Sequence, residues 1–358
     1  MPAPHCRASA EQDPELSPRL RVANIDISVV ICCFNSADRL PPTLIALQGQ
    51  RVPGINWEVV VVDNGSNDNT ADVAKQSWMR AGVPIRIASA ARAGVEYARE
   101  QGIADSRGRF ILMCDDDNWL APDYLAKACA ILESDPDIGA VGGCGEPACE
   151  SEAPAWLQQN LRMYATGPQS TSDGFVEELY GAGMVLRASA LAELKRRGFE
   201  YALTSRTGAR STAGEDTEIC YALRLIGYNL WYSRSLKFKH AIRTDRLKSN
   251  YVAGLYARIG YAYPLLHLYR AFLRAKRYRL SALKIKGLLF VMMIVTILRG
   301  AFCGLLLRIS REKRLTEAYR NIGRSAAIAY LQMLWMVDER RHYQMLYKRL
   351  KSWRAVTR

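Results

Sequence analysis

Residues 109–118, RFILMCDDDN, decide how the chain reads: an apolar run suited to a buried strand stops at three consecutive carboxylates, Asp115, Asp116 and Asp117. Like charges this close are costly unless a cation lies among them. A hard divalent ion such as Mg2+ or Mn2+, which takes oxygen ligands and also binds phosphate, would offset that cost. The other reading of the same residues is a solvated turn in which Asp117 or Asn118 caps a helix expected from about Pro122.

Upstream, IDISVVICCF (25–34), WEVVVVD (57–63) and VPIRIAS (83–89) alternate with helix-like stretches running to about residue 48, over 69–81 and over 94–106, and a further helical stretch follows at 122–134. This rhythm predicts an α/β fold with a mostly parallel central sheet, Rossmann-like in its N-terminal half, covered by helices on both faces. Ligands bind such sheets at the carboxyl ends of the strands. Polar residues stand there after each run: Asn35 and Ser36, then Asp63 to Ser66, then Asp115 to Asn118. No G-x-G-x-x-G follows the first strand and no G-x-x-x-x-G-K-[ST] occurs, so neither a dinucleotide fingerprint nor a P-loop accounts for them.

Asp63 reads either as turn chemistry beside Asn64-Gly65 or as an acceptor for a base imide or ribose hydroxyl. Glu215 and Asp216 open the helical stretch GEDTEICYALRLIG (214–227), where the helix dipole favours ionised carboxylates. Either one suits a cap, and an ionised Asp so placed also suits a general base. His240 follows the strand-like YNLWYS (228–233) and is one of four histidines; a neutral imidazole there could complete a metal shell. The looser stretch 145–180 reads as a substrate-facing insertion, in which Trp156 and Tyr180 either stack on a bound ring or pack into the fold.

With 358 residues, 49% hydrophobic and 23% charged, the chain has material for a large core, which excludes disorder, collagen and small disulfide scaffolds. Its nine cysteines contain no C-x-x-C pair and read as reduced, mostly buried thiols. Residues 1–24 lack an apolar core of the signal-peptide kind, so they read as a flexible leader on a cytoplasmic protein. The net charge of +14 is unevenly placed: residues 241–358 hold 25 Lys and Arg against 5 Asp and Glu, leaving the rest of the chain slightly acidic. A basic helical tail suits an anionic membrane surface or nucleic acid. Within it, 287–307 is the most apolar segment, interrupted only by Arg299 and flanked by basic residues on both sides. A central Arg costs roughly 2.5–3.5 kcal/mol on insertion scales, so a peripheral or re-entrant anchor on the cytoplasmic face of the inner membrane is expected rather than a span.

Taken together, ISVVICCFNSADRLPPTLIALQGQ, VVVVDNGSNDNT, the stretch from Arg99 through GIADSRGRFILMCDDDNWLAPDYL, GAGMVLR, and GEDTEICYALRLIGYNLWYSRSLKFKH closely resemble family 2 glycosyltransferases of the GT-A fold, over residues 25–240. The resemblance implies inverting transfer of a sugar from a nucleotide-diphosphate donor, a UDP-sugar being the commonest, to a saccharide or lipid-linked acceptor in cell-surface polysaccharide or glycoconjugate synthesis. By that resemblance Phe34 and Asn35 flank the nucleotide, and Asp63 binds its base or ribose. Asp115 and Asp117 are the acidic ends of a D-x-D motif with Asp116 between them on the donor. Asp117, with Asp115 and His240, would hold Mg2+ or Mn2+, Asp216 would be the base, and Glu215 would orient the acceptor or support that base. Cys32, Cys33 and Glu100 depart from the residues most often seen at their positions. The expected organisation is a leader (1–24), a GT-A catalytic domain (25–245) and a membrane-associating tail (246–358). A non-catalytic sugar-binding module and a nucleic-acid binder acting through the basic tail are the rival readings; the apolar 287–307 argues for membrane, and no nucleic-acid partner is expected.

Overall fold

The β-branched runs become strands because both their faces find helices to bury against. In this computed structural model, which describes residues 24–203, 213–306 and 313–356, β1 (Ile27–Cys33), β2 (Trp57–Asp63), β3 (Ile85–Ser89) and β4 (Phe110–Asp115) form a parallel set in the order β3-β2-β1-β4. The crossovers are α1 (Leu40–Gln48), α2 (Thr70–Ser77) and α3 (Val95–Asp105). Side chains alternate along each strand, so Val29, Ile31 and Cys33 enter one buried cluster while Val30 enters another on the opposite face. Helix α3 lies especially close to β1: a Cβ on Gly102 would come within 2.2 Å of Val30.

Beyond β4 the sheet stops being parallel, which corrects the expected mostly parallel architecture. It continues β8-β6-β9-β5, with β8 (Met184–Arg187) antiparallel to both β4 and β6 (Ile138–Cys149). The long β9 (Asn229–Ile242) runs parallel to β6, while β5 (Asn118–Leu120) and β7 (Gly174–Phe175) pair with it antiparallel. Periodicity reports which face a residue takes but not strand direction. Strand β8 is entered from an irregular segment rather than from a crossover helix, which frees it to run antiparallel. Helices α4 (Tyr124–Ser134), α5 (Ala188–Arg196) and α6 (Glu215–Ile226) complete the α/β unit.

The tail folds as α7 (Ser249–Tyr278), α8 (Ala282–Leu306), α9 (Lys313–Trp335) and α10 (Val337–Val356). A boundary at residue 245 does not separate it physically from the sheet. Leu266, Tyr269 and Phe272 of α7 and Leu346, Leu350 and Trp353 of α10 lie in the same buried cluster as Ile219 and Leu223 of α6. Trp353 Nε1 donates to the Arg197 carbonyl at 2.8 Å, and His342 Nε2 lies 3.0 Å from the Ala202 carbonyl. Among the described residues no helix is long and apolar enough to cross a membrane. The expected leader, residues 1–24, lies outside the described residues save for Asn24. The seven cysteines whose side chains are described are free thiols, and Cys33, Cys114, Cys129 and Cys220 are buried.

Because Trp353 is 3% exposed and seated in the main core, Trp353→Ala should lower stability by about 3 kcal/mol. A urea denaturation curve checks this, and an unchanged midpoint would mean that α10 is not part of the folded unit.

Candidate active site

Strand ends and the turns after them build the site. Asn35 leaves β1 with φ 48°, a left-handed conformation that asparagine tolerates better than most residues. Its N–H donates to Ser66 Oγ at 2.9 Å and its Oδ1 accepts from Asn67 N–H at 2.8 Å, which ties the loop after β1 to the loop after β2. Asp63, at the end of β2, takes the Ser66 N–H on Oδ1 at 3.0 Å. Phe34 is 52% exposed beside them.

The acidic triplet is neutralised one carboxylate at a time. Arg99, from α3, places Nη2 3.9 Å from Asp115 Oδ1 and Nη1 3.1 Å from Glu215 Oε1. Asp116 accepts Arg39 Nη2 at 2.7 Å and the Ser36 hydroxyl on the same oxygen, while its backbone carbonyl accepts Thr43 Oγ1 at 2.8 Å. Asp117 meets His240 Nε2 at 3.3 Å on one oxygen and Arg246 Nη1 at 3.0 Å on the other. Sheet register explains the histidine: Asn118 of β5 pairs with His240 of β9, and the Ala241 N–H donates to the Asp117 carbonyl at 2.9 Å.

Burial alone would push the Asp117 carboxyl up, but His240 and Arg246 hold it down at about 2. Burial would lower His240, and Asp117 instead raises it. Asp115 moves up, chiefly by burial, with Arg99 opposing. His240 Nδ1 is buried without a hydrogen-bond partner among the described residues. Among those residues no three His, Cys, Asp or Glu side chains gather closely enough to hold a metal by themselves.

Helix α6 enters beside this acidic edge. Gly214 precedes it at φ 119°, a conformation that favours glycine, and Glu215 and Asp216 fill its first turn. Asp216 accepts the Gly181 N–H on Oδ2 at 3.0 Å and the Thr217 N–H on Oδ1 at 2.8 Å. Burial first, and then Glu215 beside it, push its carboxyl up to about 6.

A cavity of about 670 Å³ opens along these elements, and Phe34, Asn35, Asp115, Asp116, Asp117 and His240 all line it, as does Glu215. Asp63 and Asp216 each stand one residue behind a lining residue, Asn64 and Glu215. The two expected acceptor aromatics are not in its wall. Trp156 packs against the buried cluster of Leu157, Tyr164 and Ile242. Tyr180 is 7% exposed, with the Arg162 guanidinium over its ring. Of the two readings of these rings, their surroundings favour packing: Tyr180 is buried and Trp156 half-buried against the cluster. Sequence reading missed the arginines of the cleft: Arg39, Arg99, Arg243 and Arg246 all line it. Arg99 lay within a quoted motif without a role, and Arg246 lay one residue beyond the expected catalytic boundary.

Residues 28–195 match the family described as glycosyl transferase family 2. Dodecaprenyl-phosphate galacturonate synthase of Rhizobium johnstonii is 26% identical over 180 residues, 49% of this chain and 53% of that protein. The chain spans about a third of the length of the first curated relatives it matches. Among solved structures, S. aureus TarS 1-349 in complex with UDP-GlcNAc has a TM-score of 0.52 at 15% identity, covering 92% of both chains. The mannosyltransferase PcManGT from Pyrobaculum calidifontis in complex with GDP-Man and Mn2+ has a TM-score of 0.53 at 17% identity, covering 88% of both. The fold is therefore the GT-A fold of these glycosyltransferases, and the stretch that matches the family 2 description, residues 28–195, carries its parallel strands and the acidic end of β4.

Removing the guanidinium that faces two carboxylates leaves both uncompensated, so Arg99→Leu should cost on the order of 3 kcal/mol at neutral pH. The deficit should narrow as pH falls and Asp115, whose carboxyl burial pushes up, takes up a proton. Urea midpoints at pH 7.5 and pH 5 check this; equal losses at both would remove the charge argument.

Proposed function

With residues 28–195 in glycosyl transferase family 2, we propose that the chain is an inverting glycosyltransferase that moves a sugar from a nucleotide-diphosphate donor to a hydroxyl of a saccharide or lipid-linked acceptor. The observation that carries this reading is the convergence on one cleft of the acidic end of β4, His240 from β9 and the first turn of α6. The linked loops after β1 and β2, with Phe34, Asn35 and Asp63, would receive the nucleoside, and Asp115 would sit nearer the ribose. A UDP-sugar is the first donor to try; TarS was solved with UDP-GlcNAc and PcManGT with GDP-Man.

The donor set fits Mg2+ or Mn2+. Asp117 offers a buried ionised carboxylate, His240 an imidazole with an unpartnered Nδ1, and such ions commonly take only one or two protein ligands alongside substrate phosphates. Asp117 with His240 would hold the cation, which when bound supplies charge to stabilise the departing diphosphate. Asp115 is the third candidate ligand.

Asp216 takes the proton of the acceptor hydroxyl. The freed oxygen lone pair forms the bond to the anomeric carbon, the bond from that carbon to the diphosphate oxygen breaks, and its electron pair leaves with the nucleotide diphosphate. One displacement inverts the centre and no covalent intermediate forms. Hydrogen bonds from the Gly181 and Thr217 N–H groups fix the carboxylate's orientation, and Glu215, anchored on Arg99, stands where it would orient the acceptor. A panel of nucleotide sugars, scored by thermal stabilisation with and without Mn2+, finds the donor. Asp216→Asn should then lower turnover roughly 10²–10⁴-fold with donor stabilisation intact. Because the base must be ionised and its carboxyl is pushed up to about 6, wild-type turnover should fall as pH drops through about 6. Undiminished turnover in the Asn variant would sink the base assignment.

The tail supports a membrane role for the acceptor side. Phe290, Val291 and Leu298 of α8 are exposed, and Lys284 and Lys286 precede them on the same helix. An apolar face beside cations suits an anionic membrane surface, with the protein peripheral on the cytoplasmic face of the inner membrane. Phe290→Asp should weaken co-sedimentation of the full chain with anionic vesicles; equal sedimentation of both forms would remove the membrane reading.

A further inference from the structure

The three carboxylates of the triplet leave little net negative charge for a bare cation. Asp115 faces Arg99, Asp116 is bound by Arg39, and Asp117 is bound by Arg246. Arg243, paired with Asp245 at 3.3 Å, adds a fourth guanidinium to the same cavity wall, and Glu215, which shares Arg99, adds a fourth carboxylate. Without a nucleotide, a dication approaching the cleft would meet Asp117 already engaged on both oxygens, one of them by the Arg246 guanidinium. Coulomb repulsion between a dication and a guanidinium a few ångströms away is large in a partly buried site.

A nucleotide diphosphate changes this balance because its phosphate oxygens give the guanidiniums another anion to bind. Arg246 is suited to change partners. It sits on a single turn, residues 244–247, between β9 and α7, with its backbone held by the Arg243 carbonyl and by the Tyr164 hydroxyl, so the side chain can turn while the backbone stays. Its side chain is 23% exposed and borders the cavity, whereas Asp117 is 6% exposed beneath it.

We propose that Arg246 is an internal counter-cation that closes Asp117 to a free divalent ion and transfers to the donor diphosphate when the nucleotide binds, so that nucleotide and cation enter together. This rests on the donor-site reading above and adds an order of binding to it. It also gives the segment just past the expected catalytic boundary a direct part in holding the donor.

The test measures Mn2+ binding to the full chain by electron paramagnetic resonance, alone and with UDP, and UDP binding by calorimetry in metal-free buffer. For the wild type, Mn2+ alone should bind weakly and UDP should tighten it. Arg246→Ala should bind Mn2+ alone roughly tenfold or more tightly than wild type, and should bind UDP without metal roughly tenfold more weakly. Arg246→Lys, which keeps the charge, should stay near wild type in the Mn2+ arm, and circular dichroism verifies that each variant is folded. A variant that merely loosened the fold would not gain metal affinity. If UDP binds wild type but Arg246→Ala gains no Mn2+ affinity, the counter-cation role is overturned and the donor site stands. If wild type binds neither UDP nor, in the same assay, GDP under any condition, the donor-site reading itself fails. Should Arg246→Ala not fold, Arg246→Gln provides the same charge removal with a polar side chain.

Discussion

Most of the cleft depends on one electrostatic constraint: three adjacent aspartates stand at the end of a buried strand, and each must meet a cation supplied from elsewhere in the chain. Arg39 comes from the turn before α1, Arg99 from α3, and Arg246 from the turn after β9. Satisfying Asp116 pins the loop after β1 through Ser36 and Arg39, and Thr43 of α1 is drawn to the same backbone. Satisfying Asp115 and Glu215 together fixes the distance between the sheet edge and the start of α6. Gly102 lets α3 approach β1 closely enough for Arg99 to span that gap. The electrostatics and the packing therefore select the same arrangement.

Two carboxylates in α6 divide structure from chemistry. Glu218 is fully buried and accepts the Ala202 and Leu203 N–H groups and the Tyr269 hydroxyl, which joins α6, α7 and the segment after α5. Its carboxyl is pushed up to about 7 by burial, with those donors opposing. Asp216, two residues earlier and half-buried, takes only backbone donors on its oxygens and lies next to the cavity wall. One helix thus presents an inward acid that fastens it to the tail and, beside the cavity wall, the acid proposed above as the base. Since the tail helices also cover the core, the position of Asp216 depends on contacts more than forty residues away in sequence.

The strands, their crossover helices and the acidic strand end were legible because they are local: β-branched runs, helical spacing and three consecutive aspartates need no knowledge of the rest of the chain. His240 was legible as a candidate because histidine is scarce and its motif follows a strand-like run. The directions of β8 and β9 were not legible, since alternation along a strand is the same in parallel and antiparallel ladders. The arginine partners were hidden for a related reason. Arg39, Arg99 and Arg246 are separated from their carboxylates by 77, 16 and 129 positions, and nothing local distinguishes them from the chain's many other basic residues. Trp156 and Tyr180 stayed ambiguous in the sequence because an aromatic ring offers the same apolar area to a sugar and to a core.

The basic character of the tail acquires two separate meanings once the fold is in view. Part of the charge belongs to the catalytic unit: Arg243 and Arg246 face the cleft, Lys276 caps the end of α6 by donating to the Arg224 and Leu225 carbonyls, and Arg349 donates to the Glu200 carbonyl. A cation at a helix C-terminus stabilises the exposed carbonyls and opposes the dipole, so Lys276 fastens the far end of the helix whose first turn carries Asp216. Another part lies with the exposed apolar residues of α8 and is available to a surface. Net charge alone would assign all of it to one partner. Its division follows from which cations meet a carbonyl or carboxylate of the same chain and which stand beside exposed apolar side chains.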